Sequence, residues 1–507
     1  MSHNGESTGM SESKAPKNKS RQVMTNLLWR LAERFGAKGV ELIVSIVLAR
    51  VLLPEQYGSI ALVTVVINIL QVFVDGGLGN ALIQKKNADQ VDFSTVFFFN
   101  IAFCAAIYSL LFLASPLIAD FYSDPELTPV IRVLGLTVLI SGVKNVQHAY
   151  VSRHMMFHRF FYATLGGTIG AAVIGIWMAY HGYGIWALVA QQIFNVTLDT
   201  VILWFTVRWR PTHDFSWQRL KGLYSYGWKI LVSRLIDTIY QDIRQLIIGK
   251  KYSKSDLAYY NRAKQFPMFI TSNINTSINS VLFPAMSSVQ DERERVKAMT
   301  RRSIRVSTYI MAPLMMGLAA CGKPIVQILL TNKWLPCVPY LTIFCITYMF
   351  QPLHTANLNA IKAMGRSDLF LKLEIIKKVI GIIALVISMQ FGVMAMAYSL
   401  LITNVIGQVI NSWPNKKLLN YAYPEQLMDI LPNILTAAGM GLIVYAVEGF
   451  GLNKWATLLI QVPLGVVIYI AASKINRLDS FDYLLSMIRK FLHRGKGKKS
   501  AKKETAE

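Results

Sequence analysis

The sequence predicts an all-α polytopic membrane protein of about fourteen transmembrane helices, and three observations carry that prediction. Of its 507 residues 53% are hydrophobic and only 16% are charged, where soluble domains carry roughly a quarter, and the mean hydropathy is +0.39. Apolar runs long enough to cross a ~30 Å hydrocarbon core recur along nearly the whole chain, joined by segments too short to fold separately. The runs are continuous, whereas a transmembrane β-barrel would show ~10-residue alternating stretches between regular turns.

The first helix, over 25–50, is the least ordinary, because Arg30, Glu33, Arg34, Lys38 and Glu41 interrupt an apolar run. An ionisable group at bilayer depth costs several kcal/mol unless it faces a partner or a wet cavity, so this helix is read as lining a polar interior. The second, 58–83, contains Asp75 followed by Gly76, Gly77 and Gly79, which predict a break or bend with Asp75 at the helix end. Helices over 94–118 and 127–151 flank the acidic loop ADFYSDPE. The next, 160–180, carries Gly166, Gly167, Gly170 and Gly175 at a spacing suited to close helix packing, and a GYG turn leads into 185–207. Helices over 226–249 and 257–286 are polar again, and 300–322, 335–362, 368–390, 393–412, 427–448 and 455–474 complete the set. Trp186, Trp334, Trp413 and Trp455 fall at segment ends, as interfacial anchors do. Cys104, Cys321, Cys337 and Cys345 lack metal-ligand spacing and read as packing residues. His154 and His158 in a basic loop, and His354 near Asn357 and Asn359, read as hydrogen-bonded histidines without a ligand role.

Lys and Arg alternate between loops. One set holds Lys85, Lys86, Arg153, Arg159, Arg208, Arg210, Arg219, Lys221, the run from Arg293 to Arg305, Lys362, Arg366, Lys416 and Lys417, and the opposite set is poor in them apart from KKYSK near 250. Basic short loops stay in the cytoplasm, so both termini are placed there. The net charge of +24 then reflects orientation and anionic headgroups, and nucleic acid is excluded as a partner. Residues 1–23 are polar and lack the apolar segment of a signal peptide. GLAACGKP at 317–324 imitates part of a nucleotide loop but ends in Pro324 and follows a membrane helix, so no nucleotide, metal or other cofactor is expected.

The chain also repeats itself at an offset of about 200 residues. YGSIALV at 57 resembles LAYYNRA at 257, and the helices before them carry Arg34 and Arg234. Parallel repeats of this kind build transporters with a site near mid-membrane. The organisation read from it is a polar tail at 1–23, six helices over 24–210, a linker at 211–225, six helices over 226–413, a further pair over 427–474 and a basic tail over 475–507.

DGGLGNALIQKK at 75–86, INSVLFPAMSSVQDERE at 278–294 and NKW at 332–334 resemble the polysaccharide-transport, Wzx-type branch of the multidrug/oligosaccharidyl-lipid/polysaccharide exporter superfamily, the colanic and teichuronic acid exporters among them. The resemblance implies a V-shaped transporter of two six-helix bundles that moves an undecaprenyl-diphosphate-linked oligosaccharide from the cytoplasmic to the periplasmic leaflet by alternating access. A glycan polymerase or other assembly proteins are the partners it implies, beside membrane lipids.

The residues suit that chemistry. A diphosphate or uronic carboxylate needs cationic and amide donors in a shielded cavity, and Arg grips phosphate bidentately. Arg34, Lys38, Arg234 and Arg262 are the candidates for contact with the anion, and Asn273, Asn275 and Asn279 for amides lining the cavity. Intramembrane carboxylates carry ions in transporters, which puts Glu41, Asp75, Asp237 and Asp242 forward for ion coupling. Internal pairing, Arg34 with Glu41 or Arg234 with Asp237 and Asp242, is the equally open reading. A drug or cation exporter of the same superfamily would want an acidic, aromatic cavity, and a membrane-embedded glycan polymerase or ligase would want a large external loop with paired catalytic groups. The chain offers neither, and no enzymatic activity is expected.

Overall fold

The computed structural model describes residues 36–486 and 489, and among them every regular element is helical. The chain divides into two compact units between Ile243 and Arg244, inside one long helix. The helices are α1 (36–51), α2 (Pro54–Asp75), α3 (Leu78–Gln84), α4 (Gln90–Phe121), α5 (Leu127–Arg153), α6 (Phe157–Tyr180), α7 (Ile185–Thr206) and α8 (Trp217–Lys251). They continue as α9 (Lys254–Ser287), α10 (Arg293–Ala320), α11 (Gly322–Leu329), α12 (Val338–Met349), α13 (Gln351–Ala363), α14 (Ser367–Ser388), α15 (Val393–Leu419), α16 (Tyr423–Ala446) and α17 (Lys454–Ile475). Among the described residues ten spans are long and apolar enough to cross a membrane, which establishes a multi-pass membrane protein. Of the fourteen predicted segments, the four outside those ten lie on α1, α8, α9 and α14, and α1, α8 and α9 are the three in which the sequence placed most of its buried charges and amides.

In the first unit α5 is the central element, packed against α2, α4 and α7, while α6 lies along α7. The α6–α7 seam shows why the glycines are there: a Cβ on Gly167 would meet the Asn195 carbonyl at 3.0 Å, and one on Gly175 the Gln191 Cβ at 2.9 Å. One end of the unit is an aromatic core of Phe93, Phe97, Phe160 and Trp209 with Leu220 and Leu223 from α8. The basic residues that sequence read only as markers of orientation do structural work here. Arg153 donates to the carbonyls of Leu82 at 2.7 Å, Lys85 at 2.6 Å and Lys86 at 2.7 Å, satisfying acceptors that the end of α3 leaves open. Lys85 pairs at 2.7 Å with Asp92, whose side chain is fully buried.

In the second unit α10 packs along α16, α9 against α12 and α13, and α14 against α15. Asp429 on α16, with a side chain only 4% exposed, accepts from Arg301 at 2.7 Å and also pairs with Arg305, so one buried carboxylate ties α16 to α10. A buried polar seam joins α13, α15 and α16. His354 meets Asn404 at 3.2 Å and Asn411 at 2.8 Å, and Asn357 donates to Gln426 at 2.8 Å while accepting from Asn415 at 2.6 Å. The hydrogen-bonded role expected of His354 is what the structure shows. All four cysteines are buried and free. Trp334 differs from expectation: it is fully buried against Arg262, 5.2 Å from ring to guanidinium, because cation and ring cover one another, so it is no interfacial anchor. GLAACGKP forms the junction of α10 and α11 with no strand before it.

Candidate functional site

The sequence prepares the site by breaking a helix. α2 ends at Asp75, and Gly76 (φ 43°) and Gly77 (φ 71°) turn the chain before α3 starts; both take the left-handed conformation that glycine adopts without steric cost. The Asp75 carboxylate is thereby held at a helix terminus inside the unit. Asn145 on α5 secures the break by donating to the Val74 carbonyl at 2.8 Å, and Gly79 lets Asn145 come close, since a Cβ there would meet Asn145 Oδ1 at 3.2 Å.

Around this break lies a cavity of about 370 Å³ within the first unit, walled by α2, α3, α5 and α8. Its polar lining includes Gln71, Asp75, Asn80, Lys144, Asn145 and Arg234. Arg234 Nη1 stands 3.6 Å from Asp75 Oδ2, both side chains about half exposed at 48% and 47%. Lys144 is more enclosed and pairs at 2.8 Å with Asp199 on α7, the two at 22% and 16% exposure. Two cations and the Asp75 carboxylate thus line one hollow together with amides, and Asp199 pairs with Lys144 from α7.

Of the sequence candidates, the structure brings Asp75 and Arg234 together in this cavity. Arg34 lies outside the described residues. Lys38 and Glu41 pair with each other at 2.6 Å on the exposed face of α1. Arg262 belongs to the second unit, is 5% exposed, and donates to Gln265 at 2.7 Å beneath Trp334. Asn273 donates to the Phe269 carbonyl of its own helix at 2.8 Å, Asn275 keeps a buried oxygen without a partner, and Asn279 accepts from Asn359 at 2.6 Å. Asp237 and Asp242 sit half-buried on α8. Sequence reasoning missed Lys144 and Asp199. The signal was present, because each is a charge in an otherwise apolar stretch of its helix, and such charges face partners or a cavity.

A multi-pass helical fold with a charged hollow inside one unit defines a polytopic membrane protein with a polar interior site. Solved structures share the fold: the lipid II flippase MurJ in an inward closed conformation matches with a TM-score of 0.73 at 16% identity, over 89% of this chain and 98% of that one. An inward-facing multidrug resistance MATE family transporter of the MOP superfamily matches at 0.58 and 15% identity, over 78% and 95%. Residues 47–339 match the family described as polysaccharide biosynthesis protein, and the chain belongs to it. Relatives include the succinoglycan biosynthesis transport protein ExoT of Rhizobium meliloti, 24% identical over 93% of this chain and 96% of that protein. The teichuronic acid biosynthesis protein TuaB of Bacillus subtilis is 25% identical over 79% and 84%, and the lipopolysaccharide biosynthesis protein WzxC of Escherichia coli is 22% identical over 80% and 85%.

Proposed function

We propose that this protein is a flippase that carries a lipid-diphosphate-linked oligosaccharide repeat unit across the cytoplasmic membrane by alternating access, for the synthesis of a surface polysaccharide. Membership in the polysaccharide biosynthesis family and relatives named as transport and biosynthesis proteins support the substrate class. The observation that carries the mechanism is the cavity of the first unit, with Lys144 and Arg234 in its wall. All fourteen predicted segments cross the membrane on this reading, with both termini cytoplasmic. Arg234 and Lys144 take the anionic headgroup, Arg34 and Lys38 on the first helix serve the same anion, and Asn80 and Asn145 donate to sugar hydroxyls. Arg262, packed under Trp334, is left a structural part.

Charge balance gives a reason for ion coupling. Arg234, Lys144, Asp75 and Asp199 sum to zero, so an arriving anion leaves the hollow with uncompensated negative charge. A carboxylate that has lost its cation in a poorly solvated site takes up a proton, and Asp75, whose pair with Arg234 is the longer and more exposed of the two, is the group that gives way. Substrate capture by Arg234 is thereby linked to protonation of Asp75. The test is accumulation of lipid-linked glycan in cells depending on the variant for export. Arg234→Ala and Lys144→Ala, inserted at normal levels, strand the glycan on the cytoplasmic leaflet; unchanged export in both removes the site from this cavity.

A further inference from the structure

Arg132 on α5 is a cation inside a membrane span that the neighbouring helix holds in place without neutralising it. The arrangement starts from Pro116, which removes from α4 the backbone N–H that would have bonded the Phe112 carbonyl four residues before it. Ser115 Oγ donates to that carbonyl instead, at 2.8 Å, and so turned it accepts from Arg132 Nε at 2.9 Å. The guanidinium also lies over the Phe112 ring, 4.1 Å from its centroid, and Tyr108 donates to the Arg132 carbonyl at 3.2 Å. Backbone and side chain are thus both fixed by α4. The Nη1 and Nη2 donors, the fork that arginine offers to a phosphate, have no acceptor among the described residues, and Asp120, Asp124 and Glu126 at the turn between α4 and α5 form no ion pair with it.

The surroundings of this fork are apolar and open. Arg132 is half-buried, while Phe112 beneath it and Leu136, four residues on along the same face of α5, are exposed. Arg132 stands five residues past Leu127, the start of α5, which is roughly 7 Å along the helix. Side chains on a helix lean toward its N-terminus, here the α4–α5 turn, and a long cationic side chain directed that way brings its charge to the headgroup level. We propose that Arg132, steadied by Ser115 and Phe112, binds the phosphate of a phospholipid in the leaflet that meets this turn, with the lipid chains against Phe112 and Leu136. One uncompensated cation matches the single negative charge of a phosphodiester, whereas a diphosphate brings at least two. No residue of this site lines the cavity around Asp75.

The test is native mass spectrometry of the full-length protein, purified and delipidated in detergent, titrated with phosphatidylglycerol and, separately, with monogalactosyldiacylglycerol, a two-chain lipid without phosphate. The first phosphatidylglycerol is expected to bind at least tenfold tighter than the galactolipid. Arg132→Met should bring it to the galactolipid level, and Ser115→Ala, which removes only the partner of Nε, should weaken it by a smaller factor. If Arg132→Met does not insert, Arg132→Lys, which keeps the charge without the fork, serves in its place and is expected to lose part of the preference. Equal binding of the two lipids by the wild type overturns the assignment, as does unchanged phosphatidylglycerol binding in the Arg132 variant. Farnesyl diphosphate that displaces the first phosphatidylglycerol from the wild type overturns it as well, and would give Arg132 to a prenyl diphosphate headgroup.

Discussion

Arg234 on α8 faces Asp75 at the broken end of α2, Nη1 to Oδ2 3.6 Å, across a hollow that leaves each side chain about half exposed. A pair so placed contributes little to folding, about 1 kcal/mol or less, and Asp75 is already stationed there by the glycine break. Its retention in an apolar setting is therefore functional. Asp75→Asn is expected to leave expression and melting temperature close to wild type while export falls at least tenfold and loses its response to uncouplers. Normal, uncoupler-sensitive export by Asp75→Asn in whole cells would show that the coupling ion travels elsewhere.

The pair of Lys144 and Asp199 is the tighter one, at 2.8 Å with both side chains largely enclosed. Removing one partner leaves the other charge buried alone, at a cost on the order of 3–5 kcal/mol. Lys144→Met should thus lower thermal stability sharply, and the double change with Asp199→Leu should recover most of it, since apolar replacements of a buried pair are often neutral. Glycan export is expected to stay lost in the double variant. Recovery of stability without export separates the fold contribution of Lys144 from its contact with substrate.

The membrane class, the run of helices and the break at Asp75 were legible because they rest on local properties: apolar length, a terminal carboxylate, consecutive glycines. Which charges meet was not. Arg234 was matched in sequence with Asp237 and Asp242 at helical spacing, yet it faces Asp75, 159 positions away in the chain, because α8 packs at the glycine break where Gly77 and Gly227 touch. Helical periodicity reports a residue's face, not the helix opposite. For the same reason Trp334 read as an anchor and proved a lid on Arg262. Lys144 and Asp199 were detectable as charges in apolar helices, but spacing rules that look for clusters pass over single charges on separate elements.

The exposed pair of Asp89 and Arg219 provides a test in pH. Asp89 accepts from the backbone of Asp92 at 3.0 Å as the cap of α4, and its other partner is Arg219. The Arg219 guanidinium holds the Asp89 carboxyl below its ordinary value. A depressed carboxylate stabilises the folded state above its unfolded pKa, about 3.9, and that contribution is lost as pH falls through the lowered folded value. Hydrogen-exchange protection in the first turn of α4, measured relative to the intrinsic rate at each pH, should therefore fall on acidification below about pH 4, and Asp89→Ser, which keeps a capping oxygen without the charge, should abolish the acid step. An acid step of the same size in Asp89→Ser would assign it to another group.

Two backbones meet closely where α8 crosses the break: a Cβ on Gly77 would stand 2.1 Å from the carbonyl oxygen of Gly227. No side-chain movement relieves that overlap, and Gly77 also holds φ at 71°, where a Cβ adds roughly 1–2 kcal/mol of strain. Gly77→Ala must push α8 off the α2–α3 break, taking Arg234 away from Asp75. The expected result is loss of the folded protein or, where some inserts, loss of export with a cysteine pair at 75 and 234 no longer cross-linking. Gly227→Ala meets the Gly77 and Gly76 backbone at 3.1 and 3.2 Å, so it should weaken the same cross-link less. Gly39→Ala is the control: on α1 nothing lies within 4 Å of the new methyl, and alanine is favoured over glycine in a helix by about 0.5–1 kcal/mol. Gly39→Ala should fold and export as well as wild type, and retention of the 75–234 cross-link in Gly77→Ala would refute the dependence of the site on that backbone contact.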